Sequence, residues 1–447
     1  MCHLLLVEPR SQGPGLKVQS AGGSVTCPTG GRSRYKHSTG TMRDMSTLLS
    51  NGPLSGIRVL DLADETGLAC TRFLADLGAD VIKVERPGGD PTRTRPPFAG
   101  DRPDPERSLY FLHWNANKRG VTLDLDTPDG QDLFRQLAST ADVVVETFRP
   151  GTMEAWGLGY EALAAVNPPI VLTSITIFGQ TGPYRDYHGD ELIAFALGGV
   201  MALSGEPGGP PCLAPGDLAS GMASMHAALA TQVALFHRLK SGRGQHIDVS
   251  VADAAAHVGG YNVPYYSYYQ RKAERDTHAH TSFELHDVYP CKDGGVRVYV
   301  LVRDHWRNFL EWIGSPEELR DPLFEDTDMR RDNRDLVDPY VAEFTSRFTK
   351  REFYAEGQGR HLAMSPMNTP AEFVESEQTK GREFFVELEH PAVGSYRQAR
   401  AIHVFSESPA EMRWAAPLVG QHNEEILVGE LGLTRDDLIR LRACGVI

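Results

Sequence analysis

The sequence lacks three features that would place the protein in a membrane, outside the cell or on nucleic acid. No apolar run approaches the roughly 20 residues of a membrane-spanning helix. Its 6 cysteines show neither the paired spacing of a zinc site nor the density of a disulfide-stapled secreted domain. Asp and Glu outnumber Lys and Arg by 59 to 45, and a net charge of −14 disfavours a nucleic-acid partner. We therefore expect a cytoplasmic protein without a metal site.

A glycine-rich phosphate loop is also missing where a dinucleotide-binding protein would have one. The pattern is strand, helix, strand, with segments at 57–63, 70–78 and 80–85. The first turn, residues 63–68, is ADETGL and contains no G-x-G-x-x-G. This argues against a nicotinamide dehydrogenase. Glu85 does end the second strand, at the position of the acidic residue that binds the ribose in such enzymes.

Apolar strands continue to alternate with helices beyond this point. Further strands are predicted at 120–125, 141–146 and 170–176, with a helix at 128–139. Continuous apolar strands separated by helices are typical of a parallel sheet that is covered on both faces. We predict an α/β fold with a large Rossmann-like domain over 52–250.

The rest of the chain differs in character from this domain. Residues 1–51 contain scattered Gly, Ser and Pro with little periodicity, which predicts a disordered extension. The aromatic, non-periodic segment 251–275 is interpreted as a linker. A hairpin that turns at residues 293–295 indicates a smaller α+β domain over 276–370. Residues 371–447 are interpreted as a return linker followed by a last part of the large domain.

The segment from Gly189 to Val251 is the most informative about chemistry, and Asp217 lies at its centre. Asp217 follows a Gly- and Pro-rich turn and precedes a run with helical apolar spacing from Leu218 to Lys240. The helix therefore begins at the aspartate. Taken alone, this pattern favours a helix N-cap, for which Asp is a preferred residue. Small neighbours such as Gly216 also leave room for a bulky group to approach the carboxylate.

A series of landmarks gives this segment a wider context. In chain order they are LSGIRVLDLA at 54–63, FLADLGADVIKVERPGGDPTR at 73–93, NANKRGVTLDL at 115–125, VVETFRPGTMEAWGLGYE at 144–161, FGQTGPY at 178–184, SGRGQHIDVSVADA at 241–254 and APLVGQHNEEIL at 416–427. Together they resemble the class III coenzyme A transferases of the CaiB/BaiF type. That family also contains formyl-CoA transferase, carnitine CoA-transferase and α-methylacyl-CoA racemase. The resemblance runs from about Leu54 to Ile447.

The resemblance implies an architecture and an activity. The C-terminal part packs back onto the first domain, and two subunits interlock as a homodimer. Asp217 stands at the position of the nucleophile, which forms an acyl anhydride and then an aspartyl-CoA thioester. The protein would thus move coenzyme A from an acyl-CoA to a carboxylic acid. An acyl-CoA thioester and a carboxylic acid would be its substrates, and no permanently bound cofactor is expected.

The resemblance also implies further site residues. Glu191 matches an active-site glutamate of transferase relatives, although it also suits the acidic N-terminus of a helix over 192–202. Side chains along the CoA path would be Arg86, Asn117, Lys118, Arg119, Leu125, Thr147, Arg149 and His188. Arginine suits phosphate by its bidentate geometry. Lys118 and Arg119 could instead be solvent-exposed side chains at the start of a strand, a solvated strand entry without a role in binding.

Two other functions stay open at this point. An α-methylacyl-CoA racemase would shuttle a proton between two bases on the same scaffold. Its second base is a histidine, and His188 stands two residues before the matching position at Asp190. A CoA-binding protein without catalytic activity is the second alternative.

Overall fold

The large part of the molecule is built on a six-stranded parallel sheet. A computed structural model describes residues 51–447 except 206–207, 261, 271, 274, 276–284 and 301, so residues 1–50 of the predicted extension lie outside the described residues. The strands are β1 Arg58–Leu62, β2 Asp80–Glu85, β3 Lys118–Thr122, β4 Val143–Glu146, β5 Val171–Thr176 and β6 His246–Ser250. They pair in the order β3-β2-β1-β4-β5-β6. The predicted α/β class with a parallel sheet is confirmed.

Helices cover both faces of this sheet. The helices of this part of the chain are α1 Leu68–Asp76, α2 Leu109–Asn115, α3 Pro128–Ala138, α4 Thr152–Ala155, α5 Tyr160–Val166, α6 Glu191–Leu197, α7 Leu218–Ser241, α8 Val251–Val258 and α9 Asn262–Tyr269. Because side chains alternate along a strand, Leu60 enters the core under α3, whereas Val59 enters the core under α1 and α7. The near-continuous apolar strands follow from this burial on both faces.

The strand order predicts a crevice beyond the carboxyl ends of the central strands of the sheet. The chain builds outward from β1 to β3, then returns to the other side of β1 and builds outward to β6. The order therefore reverses between β1 and β4, which are neighbours. In open parallel sheets, ligands bind beyond the carboxyl ends of the strands at such a reversal.

A second, antiparallel unit follows. Its strands are β7 Leu285–Cys291, β8 Gly294–Val300 and β9 Ala363–Pro366, and its helices are α10 Arg303–Trp312, α11 Thr327–Asp332, α12 Arg334–Thr345 and α13 Lys350–Gly359. The predicted hairpin is confirmed as the pair β7 and β8. Trp306, Val337 and Phe353 are buried in a separate core.

The last part of the chain returns to the large sheet. Its elements are α14 Pro370–Glu375, α15 Glu377–Gly381, the antiparallel pair β10 Phe385–His390 and β11 Gly394–Ala399, a π-helix at Glu424–Glu430 and α16 Arg435–Ala443. Ile426, Leu427 and Ile447 are buried in the same core as strand residues of the large sheet. The N- and C-terminal parts of the described chain therefore share one hydrophobic core.

The region predicted as a linker differs from expectation. It contains α8 and α9, and Val251, Ala254 and Ala255 of α8 belong to the core under α7. The small residues of α8 allow this close packing. Short 3₁₀ helices lie at Pro91–Thr94, Ala99–Asp101, Met201–Leu203, Glu317–Leu319 and Pro322–Glu325. The proposed domain boundaries stay predictions.

Replacing Leu427 by Ala should lower the free energy of unfolding by about 2–5 kcal/mol, because it leaves a cavity in the shared core. Ile439 in α16 is 68% exposed and provides the matched control. Its replacement by Ala should change stability by no more than about 0.5 kcal/mol. Urea unfolding of both variants measures the difference. Equal, small losses would contradict the docking of the C-terminal part on the large sheet.

Candidate active site

A cavity of about 760 Å³ opens at the reversal of strand order. Its lining includes residues 64–66 after β1, residues 147–150 after β4 and residues 176–178 at the end of β5. Asp217 and Glu191 line it from the helical side. The carboxyl ends of three adjacent strands and the start of α7 thus converge on one space, as the topology requires.

Two kinds of feature are absent from the described part of the chain. No group of three or more His, Cys, Asp or Glu side chains there is placed to hold a metal ion. Among those same residues, no helix combines the length and apolarity needed to cross a membrane.

The Asp217 side chain does not cap the helix that it precedes. Asp217 occupies the N-cap position of α7 but makes no side-chain hydrogen bond to the helix backbone. Gly216, with a φ of 80°, turns the chain into the helix in a conformation that favours glycine. The aspartate carboxylate lies in the cavity lining with its side chain 21% exposed. The N-cap interpretation of this carboxylate is therefore wrong.

Arg95 and Tyr110 hold the Asp217 carboxylate instead. The two Nη atoms of Arg95 lie 3.0 and 2.9 Å from its two oxygens, and the Tyr110 hydroxyl donates to Oδ2 at 2.7 Å. The Arg95 guanidinium also stacks 4.1 Å from the centre of the Tyr110 ring. Burial acts to lower the pKa of Arg95, but its bonds to Asp217 outweigh burial and the pKa is raised. Burial and the bond to Asp217 raise the pKa of Tyr110, so its hydroxyl stays a donor.

Sequence reasoning missed both of these residues. Arg95 follows the 3₁₀ helix at Pro91–Thr94, two positions beyond the end of a landmark segment. The neighbouring arginine, Arg93, is 1% exposed and is held by Glu85 at 2.6 Å and Glu106 at 2.7 Å. The two arginines in this short stretch thus have different environments, and only the three-dimensional structure distinguishes their roles. The pairing with Arg93 also gives Glu85 a structural partner.

Glu191 caps α7 in place of Asp217. Its carboxylate accepts hydrogen bonds from the backbone N–H of Ala219 at 2.7 Å and of Ser220 at 2.8 Å. The Ser220 hydroxyl donates to it as well, at 2.7 Å. Glu191 is also the first residue of α6, whose own N-cap is Asp190. The glutamate thus joins the starts of two helices on one wall of the cavity.

Three of the predicted CoA-contacting residues lie together in the cavity lining. They are Thr147, Arg149 and His188. The Thr147 hydroxyl accepts from the Asp64 backbone N–H at 2.9 Å. The Arg149 Nη1 lies 3.3 Å from His188 Nε2, and its Nη2 donates to the Asp186 carbonyl at 3.0 Å. The Arg149 guanidinium therefore remains exposed in the cavity lining.

Five other predicted residues are not in the cavity lining. Arg86 is exposed after β2 and Leu125 is buried in the core. Asn117, Lys118 and Arg119 are each no more than 2% exposed. The alternative of a solvated strand entry for Lys118 and Arg119 is therefore wrong. The assignment of these five residues to CoA stays a prediction.

Buried partners explain why these polar residues lie inside the protein. Lys118 Nζ donates to Asp61 at 2.9 Å, and burial lowers the pKa of Lys118 although Asp61 opposes that effect. Arg119 binds Asp80 at 2.6 Å and Glu425 at 2.8 Å. Lys118 therefore joins β3 to β1, and Arg119 joins the sheet to the C-terminal part, since breaking such buried pairs leaves an uncompensated charge.

Comparisons with known proteins identify the family of the chain. Residues 54–423 match the model of CoA-transferase family III. The chain is 34% identical to the succinyl-CoA–D-citramalate CoA-transferase of Chloroflexus aurantiacus, over 90% of this chain and 100% of that protein. It is 33% identical to the succinate–glutarate CoA-transferase of Agrobacterium fabrum, over 84% of this chain and 95% of that protein.

A solved structure provides the third comparison. The crystal structure of a CAIB/BAIF family protein from Brucella suis superposes with a TM-score of 0.77 and 32% identity, covering 86% of this chain and 100% of that one. Sequence and structure thus agree over most of the length of each protein compared. The chain is a CoA-transferase and belongs to family III of these enzymes.

Proposed function

We propose that the protein transfers coenzyme A from an acyl-CoA to a carboxylic acid, with Asp217 as the nucleophile. The observation that carries this proposal is the position of the Asp217 carboxylate. It lines a cavity of about 760 Å³ and is not used as a helix cap. Glu191 takes the cap role, so Asp217 can change its covalent state while α7 keeps its first turn.

The reaction proceeds by exchange at the Asp217 carboxylate. One oxygen bonds to the acyl carbon of the donor thioester, the carbon–sulfur bond breaks, and CoA leaves as a thiolate. The thiolate then attacks the aspartyl carbonyl of the anhydride, which releases the donor acid and leaves an aspartyl-CoA thioester. The acceptor carboxylate attacks this thioester and forms a second anhydride with loss of the thiolate. Attack of the thiolate on the acceptor acyl carbon yields the new acyl-CoA and restores Asp217.

The surroundings of Asp217 suit these steps. The Arg95 and Tyr110 donors are positioned to stabilise negative charge that develops on oxygens bonded to the aspartyl carbon. Arg149 and His188 supply cationic and polar groups in the same lining, where the CoA chain would enter. The names of both curated relatives include succinate or succinyl-CoA, which supports succinyl-CoA as the first donor to assay.

Replacing Asp217 by Asn should reduce transfer by at least about a thousandfold, because an amide cannot form the acyl anhydride. Stability should change by about 1 kcal/mol or less, since the side chain is a partly exposed ion-pair partner. Turnover with succinyl-CoA, thermal unfolding and CoA binding measure the three properties. Hydroxylamine should trap an acyl group on the unmodified protein and not on the variant.

Asp326→Asn is the matched control, because Asp326 caps α11 in the small unit away from the cavity. Its turnover should stay unchanged. If Asp217→Asn retained a tenth of the normal turnover, with deamidation excluded by mass spectrometry, the nucleophile assignment would fail.

The racemase alternative makes a different prediction about protons. The residue at its second-base position is Asp190, and its carboxylate accepts from the Ile193 backbone N–H as the cap of α6. His188 is exposed and contacts Arg149. We therefore expect negligible α-deuterium exchange when a 2-methylacyl-CoA is incubated in deuterated water, as followed by mass spectrometry. Rapid exchange that is lost in His188→Ala would establish the racemase instead.

We further propose that two copies of the chain interlock as a homodimer. Supporting this, one face of α7 carries five large apolar side chains that are each more than half exposed in the single chain. They are Met225, Leu229, Val233, Phe236 and Leu239. Their spacing of three or four residues makes a continuous stripe, and stripes of this size mark protein interfaces. The opposite face, with Ala223, Ala227 and Ala234, packs on the sheet.

The double substitution Leu229→Glu and Val233→Glu should convert the dimer to a monomer or an unfolded chain, because it buries two charges in the interface. Sedimentation velocity measures the mass of the particle. Ile439→Glu changes an exposed apolar residue outside the stripe and should leave the dimer intact. A wild-type protein that sediments as an active monomer would end the proposal.

A further inference from the structure

Arg95 binds the Asp217 carboxylate with a geometry that any carboxylate could adopt. Two guanidinium N–H groups meet two carboxylate oxygens at 3.0 and 2.9 Å. This fork is the preferred arrangement for recognising a planar carboxylate, and lysine does not reproduce it. The arginine thus has the chemistry of a binding site for an organic acid, although its partner in the free protein is internal.

Arg95 is also free to change partners, unlike its neighbour in the sequence. The Arg95 side chain is 38% exposed and lines the cavity. Arg93 donates to Glu85, Glu106 and the Pro417 carbonyl, and its side chain is 1% exposed. The described contacts of the Arg95 guanidinium are the Asp217 carboxylate and the face of the Tyr110 ring. Loss of one ion pair therefore releases the guanidinium.

The proposed reaction removes the internal partner of Arg95. When a carboxylate oxygen of Asp217 bonds to the acyl carbon and the thiolate leaves, the aspartyl group loses its negative charge. It stays neutral as an anhydride and as a thioester. A partly buried guanidinium that loses its carboxylate is left with an unmet charge. A second carboxylate on the bound substrate would restore the lost pair.

We propose that Arg95 binds the distal carboxylate of the substrate, so that the enzyme prefers short dicarboxylic acids and their CoA thioesters. This inference rests on the proposed function, because it requires acylation of Asp217. Arg95 pairs with Asp217 before the reaction and with the distal carboxylate of the acyl group after it. Substrates with an apolar end do not replace the pair that acylation breaks. Arg95 is therefore a specificity-determining residue.

Exchange between an acyl-CoA and its own labelled acid tests the proposal without knowledge of the natural acceptor. Succinyl-CoA with labelled succinate is compared with butyryl-CoA and labelled butyrate, since the two acids differ by one terminal carboxylate. Arg95→Gln should slow succinate exchange by about 100-fold, chiefly through KM, because the site loses the group that pairs with the distal carboxylate. Butyrate exchange should fall clearly less, and through kcat, because it loses only the Arg95 donor to the aspartyl oxygens, so the succinate-to-butyrate ratio should fall by at least about tenfold. Arg95→Lys should fall between wild type and Arg95→Gln for succinate.

Two further variants separate recognition from other effects. Tyr110→Phe removes the other donor to Asp217 and keeps Arg95, so it should affect both acids equally through kcat. Arg185→Gln removes a different arginine of the cavity lining, which pairs loosely with Asp186, and should also leave the ratio between the acids unchanged. Thermal unfolding confirms that each variant is folded.

The possible outcomes distinguish the two proposals. Equal losses for both acids in Arg95→Gln would overturn the recognition role and leave Arg95 as a positioning residue for Asp217. The same result is expected if another carboxylate of the lining, such as Glu65, accepts Arg95 after acylation. Failure of wild type to form a hydroxylamine-sensitive acyl adduct with either thioester would instead overturn the proposed function. Selective loss of succinate exchange supports the proposal.

Discussion

The hydrogen bonds from the start of α7 to the Glu191 carboxylate are the constraint on which the site depends. A helix N-terminus presents unsatisfied N–H groups and a positive dipole, and an aspartate at the N-cap would normally take both. Here the carboxylate of Glu191, 28 residues before Ala219 in the sequence, accepts from two of these N–H groups at 2.7 and 2.8 Å. Asp217 is thereby left available to Arg95 and Tyr110. Glu191 thus has the structural role, and the carboxylate of Asp217, the proposed nucleophile, makes no hydrogen bond to the helix backbone.

A buried network of charges supports the part of the cavity lining that contains Arg95. Lys83 of β2 pairs with Asp90 at 2.7 Å, and Asp90 in turn caps the 3₁₀ helix that ends one residue before Arg95. Burial favours the neutral form of Asp90, but its bonds to Lys83 and Thr92 outweigh burial and lower its pKa. Removing one partner of such a pair is costly because the other charge stays buried. The network therefore fixes the backbone from which Arg95 reaches Asp217.

The sequence predicted the local elements well and the long-range contacts poorly. The predicted strand at 80–85 has the same bounds as β2, and the helix predicted to begin at Leu218 is α7. Both carry strong local patterns. The strand order depends on pairings across most of the domain, which no local pattern encodes. Lys118 illustrates the same limit, since its burial depends on Asp61, 57 positions earlier. Arg95 and Tyr110 were missed because their common partner, Asp217, is more than 100 positions away.

The distribution of cationic residues explains how an acidic protein can serve an anionic substrate. The chain has a formal net charge of −14, so its overall field repels coenzyme A. Several buried cations are already neutralised by partners: Arg93 by Glu85, and Arg119 by Asp80. By contrast, Arg149 and Arg185 line the cavity with side chains directed to solvent-accessible space. Charges separated by more than about 10 Å are largely screened at moderate salt, so a phosphate group in the cavity would respond to Arg149 and Arg185 more than to distant surface carboxylates. If the proposed site is correct, affinity for the thioester depends on where these arginines stand and not on the sign of the net charge.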